Sequence, residues 1–137
     1  MTEQTLILVK PDGVSRALTG EILARIERKG YVIRDLRFVH ATADQLARHY
    51  REHVQKAFYP ELVDYMTSGP VVAAIIEGDR VIEGVRALSG ATDPTVAAPG
   101  TIRGDYGRDW GNGAVLNLIH SSDSPESAEW EKSVWFG

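Results

Sequence analysis

The amino-acid sequence predicts an α/β (α+β) sandwich, a four-stranded antiparallel sheet with covering helices, and three observations lead there. Four short apolar runs read as strands: Thr5 to Val9, Tyr31 to His40, Pro70 to Gly78 and Val115 to Ile119. The segments between them carry helix start and stop signals. They are also long enough to act as helical crossovers.

Each element follows from local chemistry. The run Thr5 to Val9 is stopped by Pro11-Asp12-Gly13, which reads as a turn and leaves Lys10 at a strand's C-terminal end. Thr19 can cap a helix whose Ile22, Leu23 and Ile26 share one face and which stops at Lys29-Gly30. Thr42 and Gln45 have capping-box spacing ahead of Leu46 and Tyr50, and Pro60 opens a further helix with Leu62, Val63 and Met66. These two form a helical pair. The run after Ser68-Gly69 does not alternate, so it belongs mid-sheet with both faces buried. Val81 to Leu88 is helical and ends at Gly90, and Ala91 to Gly104 is a fourteen-residue loop whose length suggests function. Ser124-Pro125-Glu126 supplies a capping serine, a first-turn proline and an acid for the last helix. The order βαβ, helices, βαβ, helix makes a ferredoxin-like split βαβ sandwich the economical topology, with one sheet face left for a helical cover or a partner.

Composition bounds the function. A chain of 137 residues, 43% hydrophobic and 25% charged, fits one domain over residues 1 to 137. Fifteen basic against nineteen acidic residues give a net charge of −4, so no global basic field exists and nucleic acid is not an expected partner. The absence of cysteine removes disulfides and thiolate metal sites. The longest apolar runs fall far short of the ~20 residues a membrane span needs, and the N-terminus lacks a signal peptide's basic start. A cytoplasmic enzyme or regulatory domain is the expectation.

No G-x-x-x-x-G-K-[ST], H-R-D or D-F-G motif is present, so any phosphoryl chemistry must be built otherwise. Among the four histidines, His40 ends a strand, and His49 and His53 read as solvated surface because no third ligand accompanies their four-residue spacing. His120 closes an apolar strand just ahead of a helix N-terminus, a place that favours negative charge. Alone, it reads either as a polar strand end satisfied by backbone or as a nucleophile. Glu131 moves the balance, because Ala128, Glu131 and Trp135 share a helix face that turns the carboxylate inward. A buried carboxylate needs a partner, and an imidazole it orients is a suitable one. The other readings are an arginine partner or a helical phase off by one residue. Lys10, Arg86 and Arg103 are singly surface charges but together could neutralise phosphate oxygens.

The segments VKPDGV at 9 to 14, SGPVVA at 68 to 73, PGTIRGD at 99 to 105 and NLIHSSDSPESA at 117 to 128 resemble nucleoside diphosphate kinases along nearly the whole chain. That resemblance implies ping-pong transfer of the terminal phosphate of a nucleoside triphosphate to a diphosphate through a phosphohistidine, with broad base tolerance. His120 matches the nucleophile, Ser122 and Glu131 its hydrogen-bonding residues, and Lys10, Arg86 and Arg103 the phosphate-binding cations. Tyr50 matches a tyrosine near the phosphates, Thr92 a phosphate-contacting hydroxyl, Asn117 a sugar-binding amide, and Phe58 with Leu62 the base clamp. Mg²⁺ is expected on the nucleotide phosphates and not in a protein cage. A homo-oligomer, tetramer or hexamer, is implied.

Some positions depart from the family pattern. Ser121 stands where glycine is usual, Ala57 replaces a common proline, and Leu116 falls where an arginine often stands. Between Asp105 and Asn117 the chain is about four residues longer than the usual spacing, and Asn112-Gly113 predicts a hairpin-like extension that packs Trp110 on a neighbouring subunit or on its own chain. A different class of function, a nucleotide-binding regulatory module without turnover, needs cations and a base clamp but no anchored nucleophile. His120, Ser122 and Glu131 together weigh against it.

Overall fold

A computed structural model describes residues 2–111 and 116–137. The described elements are β1 (Thr2–Val9), α1 (Pro11–Ser15), α2 (Thr19–Arg28), β2 (Val32–Val39), α3 (Ala43–His49), α4 (Tyr59–Met66), β3 (Val71–Asp79), α5 (Val81–Ser89), α6 (Ile102–Tyr106), β4 (Ile119–Ser121) and α7 (Pro125–Phe136). They form a four-stranded sheet in the order β2-β3-β1-β4, antiparallel throughout. This is the expected split βαβ sandwich, with β1 and β3 inside and β2 and β4 at the edges.

Alternation along β1 divides the core in two. Ile7 and Val9 pack with Ile22 and Ile26 of α2 and Val81 and Val85 of α5. Leu6 and Leu8 point the other way, against Leu46 of α3, Met66 of α4, and Val134 and Trp135 of α7. The helical cover on the second face is therefore α3, α4 and α7. Leu6, Ile7 and Leu8 are fully buried, each worth roughly 1.5–3 kcal/mol of transfer free energy.

Four local expectations are corrected. The segment read as a loop through Gly104 gives way to α6 at Ile102, where Thr101 Oγ1 caps the helix by accepting from Gly104 N–H at 3.0 Å. Pro11-Asp12-Gly13 opens α1 instead of making a bare turn, with Pro11 in the first turn and Asp12 as its acid; the ring's fixed φ suits that position. Thr19 lies inside α2, and Leu18 takes the N-cap place without a side-chain bond. The α1–α2 junction is too tight for an extended capping residue: Ala17 has φ +60 and the Leu18 N–H bonds Gly13 O at 2.9 Å. Among the described residues the fourth strand is Ile119–Ser121; of the expected run Val115 to Ile119 only Ile119 is in it, Leu116 to Leu118 are not, and Val115 lies outside the described residues. Asn117, Leu118 and Ile119 form a γ-turn, with Leu118 at φ +74 and Ile119 N–H donating to Asn117 O at 2.8 Å, a bend that turns these residues out of β4. The Thr42–Gln45 capping box and the Ser124 cap form as read.

Asn112-Gly113 and the proposed turn there lie outside the described residues. Trp110, next to them, is 47% exposed, and the guanidiniums of Arg16 and Arg108 stack over its ring at 5.4 and 4.1 Å. It thus contacts its own chain.

Gly13 lets α1 approach the functional edge of the sheet. A Cβ there would stand 2.8 Å from Val9 Cγ1 and 3.1 Å from Leu118 O. Gly13→Ala is expected to cost about 1–3 kcal/mol, read as a lowered thermal midpoint. An unchanged midpoint would mean that β1 and the γ-turn yield without strain.

Candidate active site

The site grows from edge strand β4. Its register pairs Leu8 with His120 and Val9 with Ile119, so Ile119 enters the α2/α5 core while His120 faces α3 and α7. Main-chain clamps hold the γ-turn that aims it. Lys10 N–H donates to Leu118 O at 2.8 Å, and Asp12 Oδ2 accepts from Leu118 N–H at 3.1 Å. The Tyr65 hydroxyl donates to Asp12 Oδ1. Arg103 Nε donates to Asn117 O at 3.1 Å, and its Nη2 to Ile119 O at 2.5 Å. A left-handed leucine costs on the order of 1–3 kcal/mol and persists only where its surroundings over-determine it.

Behind His120 stands Glu131, 8% exposed on the inner side of α7. His120 Nε2 lies 2.8 Å from Glu131 Oε1, and Ser122 Oγ donates to the same oxygen at 2.7 Å. Ser122, fully buried, also accepts from Leu6 N–H at 3.3 Å. The helical phase read from the sequence therefore holds. A carboxylate on Nε2 stabilises the tautomer that carries its proton there and leaves the lone pair on Nδ1.

In front of His120 opens a cleft of about 490 Å³, lined among others by Lys10, Tyr50, Arg86, Thr92, Arg103 and Asn117. Lys10 Nζ donates to Asn117 Oδ1 at 2.7 Å, while Asn117 Nδ2 donates to Thr92 O at 3.1 Å. Arg86 Nη1 donates to Ser121 O at 3.2 Å. Burial, then the Arg103 charge, pushes the Lys10 ammonium down to about 8. Burial and then Arg86 push Arg103 down to about 10. Three cations so close together favour an anion between them.

Phe58 and Leu62 do not line this cleft. The Phe58 ring is 50% exposed, 5.6 Å from the His53 ring, and Leu62 packs partly buried against the α3/α7 core.

The surface reading of His49 is corrected. It is 8% exposed, with its ring 4.5 Å from His120 and 4.6 Å from Tyr50. The available signal was its position three residues after core Leu46, on the same helix face. Sequence reasoning also passed over Asp12, whose clamp on Leu118 joins residues far apart in the chain. His53 is half-buried at the cleft's mouth, with Lys56 Nζ 2.9 Å from its Nδ1.

Among the described residues, His49, His120 and Glu131 offer ligand-capable atoms within 4.8 Å of one another. The His120–Glu131 contact of 2.8 Å is a hydrogen-bond distance, shorter than the about 3.3 Å separating neighbouring ligands on a tetrahedral zinc ion. His49 Nδ1 already accepts from Trp135 Nε1–H at 3.0 Å. The set fits a proton-holding network.

The family model for nucleoside diphosphate kinase matches residues 3–137. The chain belongs to the nucleoside diphosphate kinase family. It is 56% identical over 138 residues to a nucleoside diphosphate kinase of Nocardia farcinica, covering 99% of this chain and 96% of that one. Against one from Mycobacterium tuberculosis strain ATCC 25177 / H37Ra it is 53% identical over 137 residues, covering 99% and 98%. The structure of a halophilic nucleoside diphosphate kinase from Halobacterium salinarum in complex with CDP matches with a TM-score of 0.93 at 44% identity, covering 99% of this chain and 88% of that one. A family protein from Babesia bovis matches with a TM-score of 0.92 at 46% identity, covering 98% and 88%. This nucleoside diphosphate kinase is accordingly a phosphotransferase acting on nucleoside phosphates. Ser121, a departure from the family pattern, sits in extended β4 and needs no left-handed backbone.

The Lys10 environment predicts a pH dependence. Its charge is present below about 8 and lost above it, so kcat/KM for nucleotide falls as pH rises through that value, because kcat/KM reports the free enzyme. Steady-state kinetics from pH 6.5 to 9.5 check this. Lys10→Arg, charged throughout, is expected to remove the alkaline limb; a limb unchanged in that variant would assign it to another group.

Proposed function

We propose that residues 1–137 act as a single nucleoside diphosphate kinase-like domain that moves the γ-phosphate of a nucleoside triphosphate to a nucleoside diphosphate through phosphorylated His120. The observation that carries this is the Nε2–Glu131 contact of 2.8 Å, which leaves Nδ1 as the nucleophilic nitrogen of a cation-lined cleft. The Nδ1 lone pair forms the N–P bond, the bond from phosphorus to the β-phosphate oxygen breaks, and the electron pair leaves on the diphosphate. The proton stays on Nε2, where the Glu131 carboxylate offsets the imidazolium charge and Ser122 holds that carboxylate in place. A second diphosphate reverses the step with its own terminal oxygen.

Lys10, Arg86 and Arg103 are the groups to neutralise phosphate oxygens, which is most of what a protein contributes to phosphoryl transfer. Arg103 has three donors on main-chain carbonyls, leaving two of a guanidinium's five N–H groups for substrate. Tyr50 and Thr92 are the hydroxyls for the phosphates, and Asn117 the amide for the sugar. Phe58 and Leu62 are the groups for the base, Phe58 offering an aromatic face, a contact that tolerates every base. Mg²⁺ enters bound to the nucleotide, where it would spread part of the phosphate charge; the cationic lining of the cleft fits such a complex. The lack of cysteine supports a cytoplasmic setting, and the net charge of −4 weighs against nucleic acid as a partner. Among the described residues no helix is long and apolar enough to cross a membrane.

Intact mass after incubation with Mg-ATP tests the reading. One acid-labile phosphoryl group is expected, passed to CDP and GDP at rates within about 10³ of one another, or roughly 4 kcal/mol. His120→Ala is expected to take up none. Glu131→Gln, folded and still binding nucleotide, is expected to be slower by about 10² or more. Phosphate uptake and transfer by the His120→Ala protein would overturn the assignment.

We infer, too, a homo-oligomer, tetramer or hexamer, built by isologous contacts. Its support is edge strand β2, where Val32, Leu36 and Phe38 are 45%, 49% and 66% exposed beside unpaired main-chain groups, a combination that invites a second strand. Replacing Leu36 and Phe38 together with Lys is expected to reduce the mass by light scattering while phosphohistidine formation persists. The same mass as the parent would assign assembly to another surface.

A further inference from the structure

His49 is a buried imidazole that the transfer chemistry above does not use. Its surroundings define its state. Trp135 Nε1–H donates to His49 Nδ1 at 3.0 Å in the core, so that nitrogen must keep a lone pair and the ring's proton is on Nε2. Protonating Nδ1 would set two N–H donors against each other at a buried atom. The ring makes edge contacts with Tyr50 at 4.6 Å and 88°, His120 at 4.5 Å and 75°, and Trp135 at 5.7 Å and 73°.

We propose that His49 is a positioning residue for the phosphotransfer, a ring kept neutral by the Trp135 hydrogen bond that fixes the plane of the His120 imidazole and so the aim of Nδ1. The proposal rests on His120 as the nucleophile. Glu131, itself held by Ser122, holds His120 at one atom, Nε2, and a single hydrogen bond leaves a ring free to roll about the line through that atom. A flat neighbour at van der Waals distance removes that freedom. Neutrality matters because a cation at this distance would oppose the imidazolium charge that His120 takes on when phosphorylated. The titratable groups facing His49 are His120 on β4, Lys10 at the end of β1, Glu131 on α7 and Tyr50 at the end of α3. Burial, the His120 charge and the Lys10 charge hold His49 well below the ordinary histidine range, in keeping with the geometry.

The test compares His49→Ala and His49→Phe with the parent, using rapid-quench phosphorylation by Mg-ATP, steady-state KM and a pH profile. A shift of about 1 Å in a reacting group can cost on the order of 10² in rate. His49→Ala is therefore expected to phosphorylate His120 about 10- to 100-fold more slowly, with KM within about threefold of the parent. His49→Phe, which restores a neutral ring, is expected to recover most of that rate and to keep the parent's acid limb. Should His49→Ala fail to fold, the His49→Phe profile decides. Phosphorylation within about twofold of the parent in the alanine variant, or an acid limb displaced in the phenylalanine variant, would overturn the proposal. A parent that takes up no phosphoryl group would instead overturn the functional reading on which it rests.

Discussion

A carboxylate leaves water only where donors replace it, and Glu131 meets that condition on the inner face of α7 with one imidazole and one hydroxyl on a single oxygen. The rest of the cleft depends on this. Because the carboxylate sits at Nε2, the ring's proton is held there and the lone pair is left on Nδ1. Because Ser122 also ties to the main chain of β1 at Leu6, the carboxylate is held relative to the sheet and not only to its own helix. Three elements, β1, β4 and α7, therefore converge on one oxygen atom.

The segment ahead of the histidine is held at some cost. Leu118 adopts φ +74, and Asp12, Lys10 N–H and Arg103 together anchor the carbonyls and amide around it. Two of these residues also bring charge to the cleft. Arg103 is at once a brace for the γ-turn and a cation beside Arg86, while Lys10 gives its main chain to the turn and its ammonium to Asn117. Structure and electrostatics thus share atoms. Replacing Arg103 removes a side-chain brace of the γ-turn along with a charge, whereas replacing Lys10 keeps its main-chain bond to Leu118 O and changes the charge alone.

The cluster is also frustrated without an anion. Burial and the repulsion of neighbouring cations depress both Lys10 and Arg103, the signature of positive charges gathered in one partly dry place. The segment around Phe58 has the opposite character: it is exposed and carries none of the cleft's lining.

Local chemistry sets the order of the four strands, the central place of the non-alternating one, the caps of α3 and α7, and the inward phase of Glu131, because each depends on neighbours within a turn or two of chain; the short helices α1 and α6 were not legible in that way. His120, Lys10, Arg86 and Arg103 were legible as residue types suited to phosphate. How they meet is settled by packing between segments distant in the chain. The γ-turn at Leu118 moved the last strand forward to Ile119–Ser121, and no local pattern announces it, since its clamps come from Asp12 and Arg103. His49 looked like half of a surface pair because periodicity cannot say which helix face another helix will cover; the packing of α7 against α3 buried it beside His120. Contacts across the sheet depend on non-local register, and register is settled only when both sides of the core close together.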